Sequence, residues 1–221
     1  YYRYIFKQVG VPENMMWLET KEHFRSVPTD GWKPLQGPFD WGEEWDNIWV
    51  RMTYTVPSEL AGQDIYIEPH TGAVEALVFI NGKPDSIINS KHDFIGGMHS
   101  AQMILKNAQA GERVEVALEC YAGHFEAGTQ PFDRYGQECE VYGNEFRRHF
   151  EGIDICLMDH EMRDFVFDLK TAVQLTECIP DTDFMNGKAR NAVMRVFEVL
   201  GQYPARMTEE EIHSQITACR E

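Results

Sequence analysis

The chain has 221 residues, of which 36 are acidic and 20 are basic, so its formal net charge at pH 7 is −16. A charge of this sign repels phosphate backbones and anionic lipids, so nucleic acid and membrane surfaces are excluded as expected partners. The five cysteines are widely spaced and include no CxxC pair, which disfavours both a disulfide framework and a zinc–thiolate site.

The first thirty residues are interpreted as an N-terminal extension that precedes the clearer patterns. Its segment MMWLETKEHF (15–24) is compatible with a helix or with an extended strand, and both alternatives stay open.

Short strands separated by turns are predicted from Ile48 to about Ala122. In IWVRMTYTV (48–56), and again in ERVEVALECYA (112–122), apolar residues alternate with polar ones, which is the period of a half-buried strand. Asn81-Gly82 lies between two further strand-like runs and predicts a two-residue hairpin turn. Several short strands without intervening helices indicate a mainly β fold, an antiparallel jelly roll or β-sandwich, placed at residues 31–150.

The pattern changes after a Gly-, Pro- and aromatic-rich passage (123–152), which we interpret as a long loop or linker. Apolar residues then recur at spacings of three and four and predict a first helix from about Asp154 to Cys178 and a second over 189–203. Thr208 and Glu211 form a capping box for a third helix that continues to the last residue. We therefore expect residues 151–221 to form a C-terminal α-helical segment.

The widely spaced cysteines, without a disulfide framework, predict a reducing compartment, the cytoplasm. No apolar run reaches the roughly 18 residues that cross a bilayer, and no leader of the secretory type precedes Tyr1. Because the chain begins without an initiator Met and ends inside its third predicted helix, we also expect it to be a fragment of a longer protein.

One short motif is compatible with metal-dependent chemistry. HEMRD (160–164) is similar to the zinc-protease pattern, but its second histidine is missing, so His160 and Asp164 would bind zinc and Glu161 would act as the base. The alternative is a solvated helix face, because all three residues lie opposite the predicted apolar stripe. We favour the solvated face and predict no metal-binding, cofactor-binding or catalytic residue in this chain.

The cluster Trp41, Trp45 and Trp49 is the most distinctive local feature. Indoles on a loop before a strand could stack on sugar rings, and we name Trp41 and Trp45 as the candidate carbohydrate contacts. The indoles could equally close the end of the sandwich or contact another domain, and we favour this structural interpretation.

The order of four segments carries a resemblance to a known family. WGEEWDNIWVRMTYTVP, LAGQDIYIEP, ALVFINGKP and GERVEVALECYAG, followed by GHFEAGTQP and the two helical segments, resemble the amino-terminal region of the α-mannosidases of glycoside hydrolase family 38, cytosolic and bacterial type. The resemblance covers roughly residues 30–221. It implies a galactose-binding-like jelly roll ahead of a catalytic domain, which would hold a divalent metal, zinc in this family. The zinc motif that opens that domain, His-x-His-x-Asp-x-x-Trp, has no match here, so no catalytic or metal residue is carried over.

Three hypotheses follow from the sequence. The favoured one is a non-catalytic accessory domain of an α-mannosidase with a structural and assembly role, partnered by the catalytic domain of the same chain or by a second copy. The second is an independent carbohydrate-binding module that contacts mannosides through Trp41 and Trp45. The third is a metal-dependent hydrolase built on His160, Glu161 and Asp164.

Overall fold

The computed structural model describes residues 4–22, 24–43, 45–89, 101–123, 147–200 and 207–220. The chain divides into two compact units. One unit comprises Gln8–Leu157, and the other comprises Tyr1–Lys7 together with Met158–Glu221.

The larger unit is built from antiparallel strands. A six-stranded sheet has the order β3-β2-β5-β10-β7-β8, a four-stranded sheet has the order β1-β12-β6-β9, and β11 pairs with β4. The described strands are β1 (Phe6–Gly10), β2 (Glu13–Thr20), β3 (Lys33–Pro34), β4 (Phe39–Trp41), β5 (Asn47–Thr55), β6 (Ile65–His70), β7 (Glu75–Ile80), β8 (Lys83–Asn89), β9 (Gln102–Leu105), β10 (Arg113–Tyr121), β11 (Arg148–Phe150) and β12 (Gly152–Met158).

The hydrophobic core draws on both main sheets. The alternation predicted for β5 and β10 is confirmed, because the two strands pair antiparallel with Val116 opposite Met52, and their alternate apolar residues are buried. The same cluster includes Ile65 and Ile67 of β6 and Ile155 of β12. Apolar side chains from two sheets therefore meet in one core, as in a β-sandwich.

The hairpin predicted at Asn81-Gly82 is confirmed. Both residues have positive φ, 50° and 75°, and they connect β7 to β8. Asn81 also holds the neighbouring strand, since its backbone N–H donates to the Glu115 carbonyl (2.8 Å) and its side-chain oxygen accepts from the Glu115 N–H (3.0 Å). Asn and Gly are the residues that reach these φ values at the lowest cost.

The helical alternative for residues 1–30 is wrong in the described part of that segment. Residues 6–10 and 13–20 are strands, and β2 pairs with β5 inside the six-stranded sheet. Leu18 faces the outer cluster with Trp49, whereas Trp17 packs on the main core. Both faces of β2 are therefore partly buried and carry apolar side chains. For this reason its sequence shows no clear alternation of apolar and polar residues.

Three helices are described in the smaller unit, α1 (His160–Cys178), α2 (Phe184–Val199) and α3 (Glu209–Arg220), and a short 3₁₀ helix (Ser58–Leu60) lies in the larger one. The predicted start of the first helix near Asp154 is wrong. Residues up to Met158 belong to β12, which pairs with β6 through Ile155 and Ile67. Ile153 and Ile155 are two residues apart, as in a strand, whereas the apolar residues from Met158 onward have helical spacing. The two patterns overlap, so the sequence alone does not show where the strand ends and the helix begins. Among the described residues, no helix is long and apolar enough to span a membrane.

Helix starts follow the side-chain caps. The Asp159 side chain accepts from the Met162 N–H at 2.9 Å, so α1 begins at His160. The capping box predicted for α3 is confirmed, because Thr208 and Glu211 exchange hydrogen bonds of 2.7 and 3.2 Å. Each cap satisfies a backbone donor that the first helical turn leaves unpaired.

Candidate functional site

Trp41 lies in the core at one end of the sandwich. Its side chain is 2% exposed, and its indole N–H donates to the Thr71 carbonyl at 2.8 Å. The strand that carries it, β4, pairs with β11, so the indole is covered by a distant part of the chain. The prediction of Trp41 as a carbohydrate contact is therefore wrong for this structure, since neither ring face is open to a sugar.

The connection between β6 and β7 is packed tightly at the same end. Gly72 has a φ of +69°, and a Cβ placed there would lie 2.5 Å from the His149 carbonyl oxygen and 2.9 Å from its nitrogen. The His149 ring in turn lies 2.7 Å from the Asp40 carboxylate. Only glycine fits at this position, because it adopts a positive φ without strain and has no Cβ that would clash with the His149 backbone. The backbone around Trp41 is thus held in place by close contacts with neighbouring backbone.

The turn that follows Trp41 is held by Asp46. The Asp46 side chain accepts from the Glu43 N–H at 2.9 Å and lies 3.4 Å from the Lys21 amine, and the residue is 7% exposed. Gly42 and Trp45 both have positive φ, 64° and 68°. A bulky residue rarely adopts such a φ, so the surrounding hydrogen bonds hold Trp45 in place. The Asp46 carboxylate therefore stabilises this turn.

Trp45 is the aromatic residue of the cluster that reaches the rim. It is half-buried, its backbone N–H donates to the Gly123 carbonyl at 3.0 Å, and its ring centroid lies 6.4 Å from that of Tyr121. Tyr121 is also half-buried, and burial, followed by the nearby Glu75 carboxylate, raises its pKa. The pair forms a partly open aromatic surface at the end of β10.

Two arginines bind the chain next to this pair, one at the turn that carries Trp45 and one at the residue after Tyr121. Arg147 donates to the Gly42 carbonyl at 3.1 Å and lies 3.5 Å from the Glu43 carboxylate, with its side chain 45% exposed. Arg148 donates to the Ala122 carbonyl at 2.7 Å, and burial lowers its pKa. We call Glu43, Trp45, Tyr121 and Arg147 the rim cluster. A stacking face beside a guanidinium and a carboxylate can bind the ring and the hydroxyl groups of a polyol.

Beneath the rim cluster lies a buried amide. Asn47 is 2% exposed, sits opposite Tyr121 in the β5–β10 pairing, and its side-chain Nδ2 has no acceptor among the described residues. Trp49 extends the same outer face of the sheet, packing on Phe79 with ring centroids 5.2 Å apart. Of the three clustered tryptophans, two are therefore core residues and one is at the rim. The sequence offered no signal for Tyr121 or Arg147, because they join Trp45 only through long-range pairing.

The proposed metal triad does not assemble. The Asp164 carboxylate is bound by the Arg163 guanidinium (2.6 Å), the Glu161 carboxylate lies 2.7 Å from a His213 ring nitrogen, and His160 is exposed. The structure instead brings together Asp159, Glu209 and His213, whose side-chain polar atoms lie within 4.8 Å of one another.

Asp159, Glu209 and His213 each already have a hydrogen-bond or ion-pair partner in the protein. The Asp159 carboxylate caps α1, and the Glu209 carboxylate lies 2.8 Å from the Lys7 amine. His213 has one ring nitrogen 2.8 Å from Asp159 and the other beside Glu161. We therefore interpret this group as a charge-paired contact between helices. No local sequence pattern indicates this contact, because His213 lies far along the chain from HEMRD.

The antiparallel sheets sharing one core, with a rim of loops at one end, define this chain as a jelly-roll domain followed by helices. The family model described as "Alpha-mannosidase, jelly roll domain" matches residues 8–143, which is more than half of the chain. The chain belongs to this family. The expected resemblance to an α-mannosidase amino-terminal region is thereby confirmed at the level of the jelly-roll domain.

Solved structures with a similar arrangement come from β-glucuronidase of Ruminococcus gnavus. The complex with a C6-substituted uronic isofagomine has 10% identity and a TM-score of 0.43, and the match covers 71% of this chain and 30% of that one. The complex with D-glucaro-d-lactam has 12% identity and a TM-score of 0.44, covering 70% and 29%. This chain thus spans less than a third of the length of those enzymes. No curated protein matches the chain in sequence.

Proposed function

We propose that this chain is the non-catalytic accessory region of an α-mannosidase of glycoside hydrolase family 38, cytosolic and bacterial type, with a structural and assembly role. The observation that carries the proposal is the burial of Trp41 and Trp49 in a domain of the α-mannosidase jelly-roll family. These indoles stabilise the sandwich and are not available for chemistry. The proposal places the enzyme in the cytoplasm and its zinc in a separate catalytic domain.

An assembly role is supported by the surface of α2. Phe184 is 74% exposed, Phe197 is 52% exposed, and Met185, Met194 and Val199 of the same helix are also exposed. Ala189, Val193 and Val196 of α2 line a groove that this helix shares with α1 and α3. A helix that carries apolar residues both in such a groove and at exposed positions around its surface is typical of an element that a partner covers. The exposed apolar residues support a contact with the catalytic domain or with a second copy.

The activity of the isolated chain tests the first part of the proposal. We expect no turnover of a chromogenic α-mannoside with zinc or cobalt added, since the proposal assigns the reaction to another domain. Turnover that a chelator abolishes would overturn the accessory role and restore the metal-dependent hydrolase as the leading hypothesis. Elemental analysis of the purified protein supplies an independent check, because the same proposal requires no stoichiometric zinc.

A second function, carbohydrate contact, is favoured by the rim cluster alone. Trp45 and Tyr121 present a partly open aromatic surface, with Arg147 and Glu43 available as hydrogen-bond partners for hydroxyl groups. Sugar rings stack on aromatic faces of this kind, and such contacts hold ligands weakly unless several act together. This function would apply equally to an independent carbohydrate-binding module for mannosides.

Titration with mannose oligosaccharides, followed by tryptophan fluorescence, tests the contact. If the rim cluster binds the sugar, wild-type protein gives a saturable change that Trp45→Ala abolishes. Trp32→Ala is the matched control, since Trp32 is also half-buried but packs under Arg51 on another part of the sheet. A wild-type signal that persists in Trp45→Ala, or no signal at millimolar sugar, contradicts carbohydrate contact at this site.

A further inference from the structure

His213 joins two helices that are far apart in sequence. It lies on α3, and its Nδ1 is 2.7 Å from the Glu161 carboxylate while its Nε2 is 2.8 Å from the Asp159 carboxylate. Both partners belong to the start of α1, one as its N-cap and the other in its first turn. Both ring nitrogens of His213 therefore contact carboxylates at the start of the same helix, α1.

This geometry favours the protonated ring. A neutral imidazole carries one N–H and one lone pair, so it can donate to only one carboxylate. Carboxylate oxygens lie within hydrogen-bond distance of both nitrogens, and both nitrogens can donate only when the ring is the imidazolium. The hydrogen bond to Glu161 raises the pKa of His213, the charge of Asp159 raises it further, and partial burial opposes both.

The surrounding charges act in the same direction. Glu209 lies one turn before His213 on α3, and its carboxylate falls within the 4.8 Å group formed with Asp159 and His213. Lys7 is the cation beside it, 2.8 Å from Glu209. Among the described residues, three carboxylates and one amine thus lie in the group around His213, so the field of these groups favours the positive ring.

The remaining attachment of α3 is limited. The helix has twelve residues, a length that is marginal in isolation. Its buried apolar residues are Ile212 and Ile216, and Arg220 pairs with Asp168 at the far end, 3.4 Å away on exposed side chains. Two charged contacts are described at the beginning of the helix, Glu209 with Lys7 and His213 with the start of α1. The His213 contact is the better shielded of the two, because its side chain is 30% exposed whereas those of Lys7 and Glu209 are 63% and 65% exposed.

We propose that His213 is a proton-dependent clasp, which holds α3 on the start of α1 while the ring is positive and releases it when the ring loses a proton. On deprotonation one ring nitrogen turns a lone pair toward a carboxylate oxygen, and that contact becomes repulsive. Through Cys219, α3 also forms one side of an apolar groove lined by Phe165 of α1 and Val193 of α2. Release of α3 would expose the apolar side chains of this groove to solvent and favour self-association of the helical unit.

The direction of the pH effect follows from the raised pKa. Because the folded ring holds its proton more tightly than the unfolded ring, the added stability is complete below about pH 6.5. It is lost as the pH rises through the higher pKa of the folded state. Alkaline conditions therefore loosen α3, and mildly acidic conditions hold it.

Two measurements on the full chain test the clasp. Imidazole ¹⁵N NMR is expected to show both His213 nitrogens protonated at pH 6, with a titration midpoint above that of a free histidine. Amide hydrogen exchange of α3, compared between proteins at matched pH, is expected to be roughly three- to tenfold faster in His213→Gln than in wild type at pH 6, a range typical of one charged contact at a partly exposed site. The difference is expected to shrink above the midpoint.

His160→Gln is the matched control, since it removes an exposed histidine from the first turn of α1 and leaves the clasp intact. Glu161→Gln keeps a polar partner but removes its charge, so the His213 midpoint is expected to fall while α3 stays folded. A neutral His213 ring at pH 6, or equal α3 exchange in wild type and His213→Gln at all pH values, overturns the proposal. Stoichiometric zinc binding that titrates with His213 would also overturn it, because the group would then be a cation site.

Discussion

Replacing Trp41 by Phe separates the two interpretations of the tryptophan cluster. If the indole is a core residue, as its 2% exposure and its bond to the Thr71 carbonyl indicate, Trp41→Phe must destabilise the sandwich. If it were a sugar contact, the same change would leave stability unaltered and weaken binding. The structure gives the magnitude that decides between them.

Two losses add in the Trp41→Phe variant. The Thr71 carbonyl loses its N–H partner within a residue that is 6% exposed, which costs about 1–3 kcal/mol for a buried group left unpaired. The smaller ring also leaves space in the core cluster that Trp41 shares with Phe150 and Ile48, at about 1 kcal/mol for the lost apolar contact. We therefore expect the free energy of unfolding to fall by about 2–4 kcal/mol.

Urea unfolding of the full chain, followed by circular dichroism at a β-sheet wavelength, measures this loss as a shift in midpoint at constant slope. Trp45→Phe is the control, because a half-buried ring at the rim is expected to change stability by less than about 1 kcal/mol. A Trp41→Phe variant that unfolds at the wild-type midpoint would refute the core assignment. Loss of a mannoside-dependent signal in that same variant would show that the indole faces the solvent.

Three further predictions rest on single observations. Gly72→Ala is expected to cost about 3 kcal/mol or more, and Gly111→Ala, with a similar positive φ and open space around it, only about 1–2 kcal/mol; equal losses in urea unfolding would contradict the close contact at Gly72. Burial raises the pKa of the Cys120 thiol to about 12, so native protein at pH 8 is expected to alkylate at exposed Cys178 and not at Cys120, as peptide mass spectrometry would show. Phe197→Asp is expected to reduce association with a partner in analytical ultracentrifugation without lowering stability, and an unchanged association constant would exclude this surface from the interface.

Local sequence patterns predicted much of the fold because the relevant interactions are short-range. The alternation in β5 and β10, the Asn81-Gly82 turn and the Thr208 cap each involve residues only a few positions apart, and all are confirmed. The start of α1 was misplaced because Ile155 satisfies both a strand period and a helix period. Only its pairing with β6 decides between them, and that pairing is not local.

The candidate site was less predictable for the same physical reason. Trp41, Trp45 and Trp49 repeat every four residues, but the spacing does not reveal which indole is covered. Trp41 is buried because β4 pairs with β11, more than a hundred residues later. The contact of His213 with Asp159 likewise depends on how α3 packs. Composition and period carry no information on contacts of this range.

The unequal burial of large side chains in the two units indicates where an assembly contact would form. The sandwich fully encloses several large side chains, such as Trp49 and Phe150, so it can fold on its own core. The helical unit instead leaves Phe197 exposed while Phe165 is 4% exposed. A charge at Phe165 would therefore disrupt the packing of α1 and report on folding, whereas a charge at Phe197 alters only a surface. Because a partner that covers α2 would remove apolar area from water at about 25 cal/mol per Å², the interface is expected on the helices and not on the sheets.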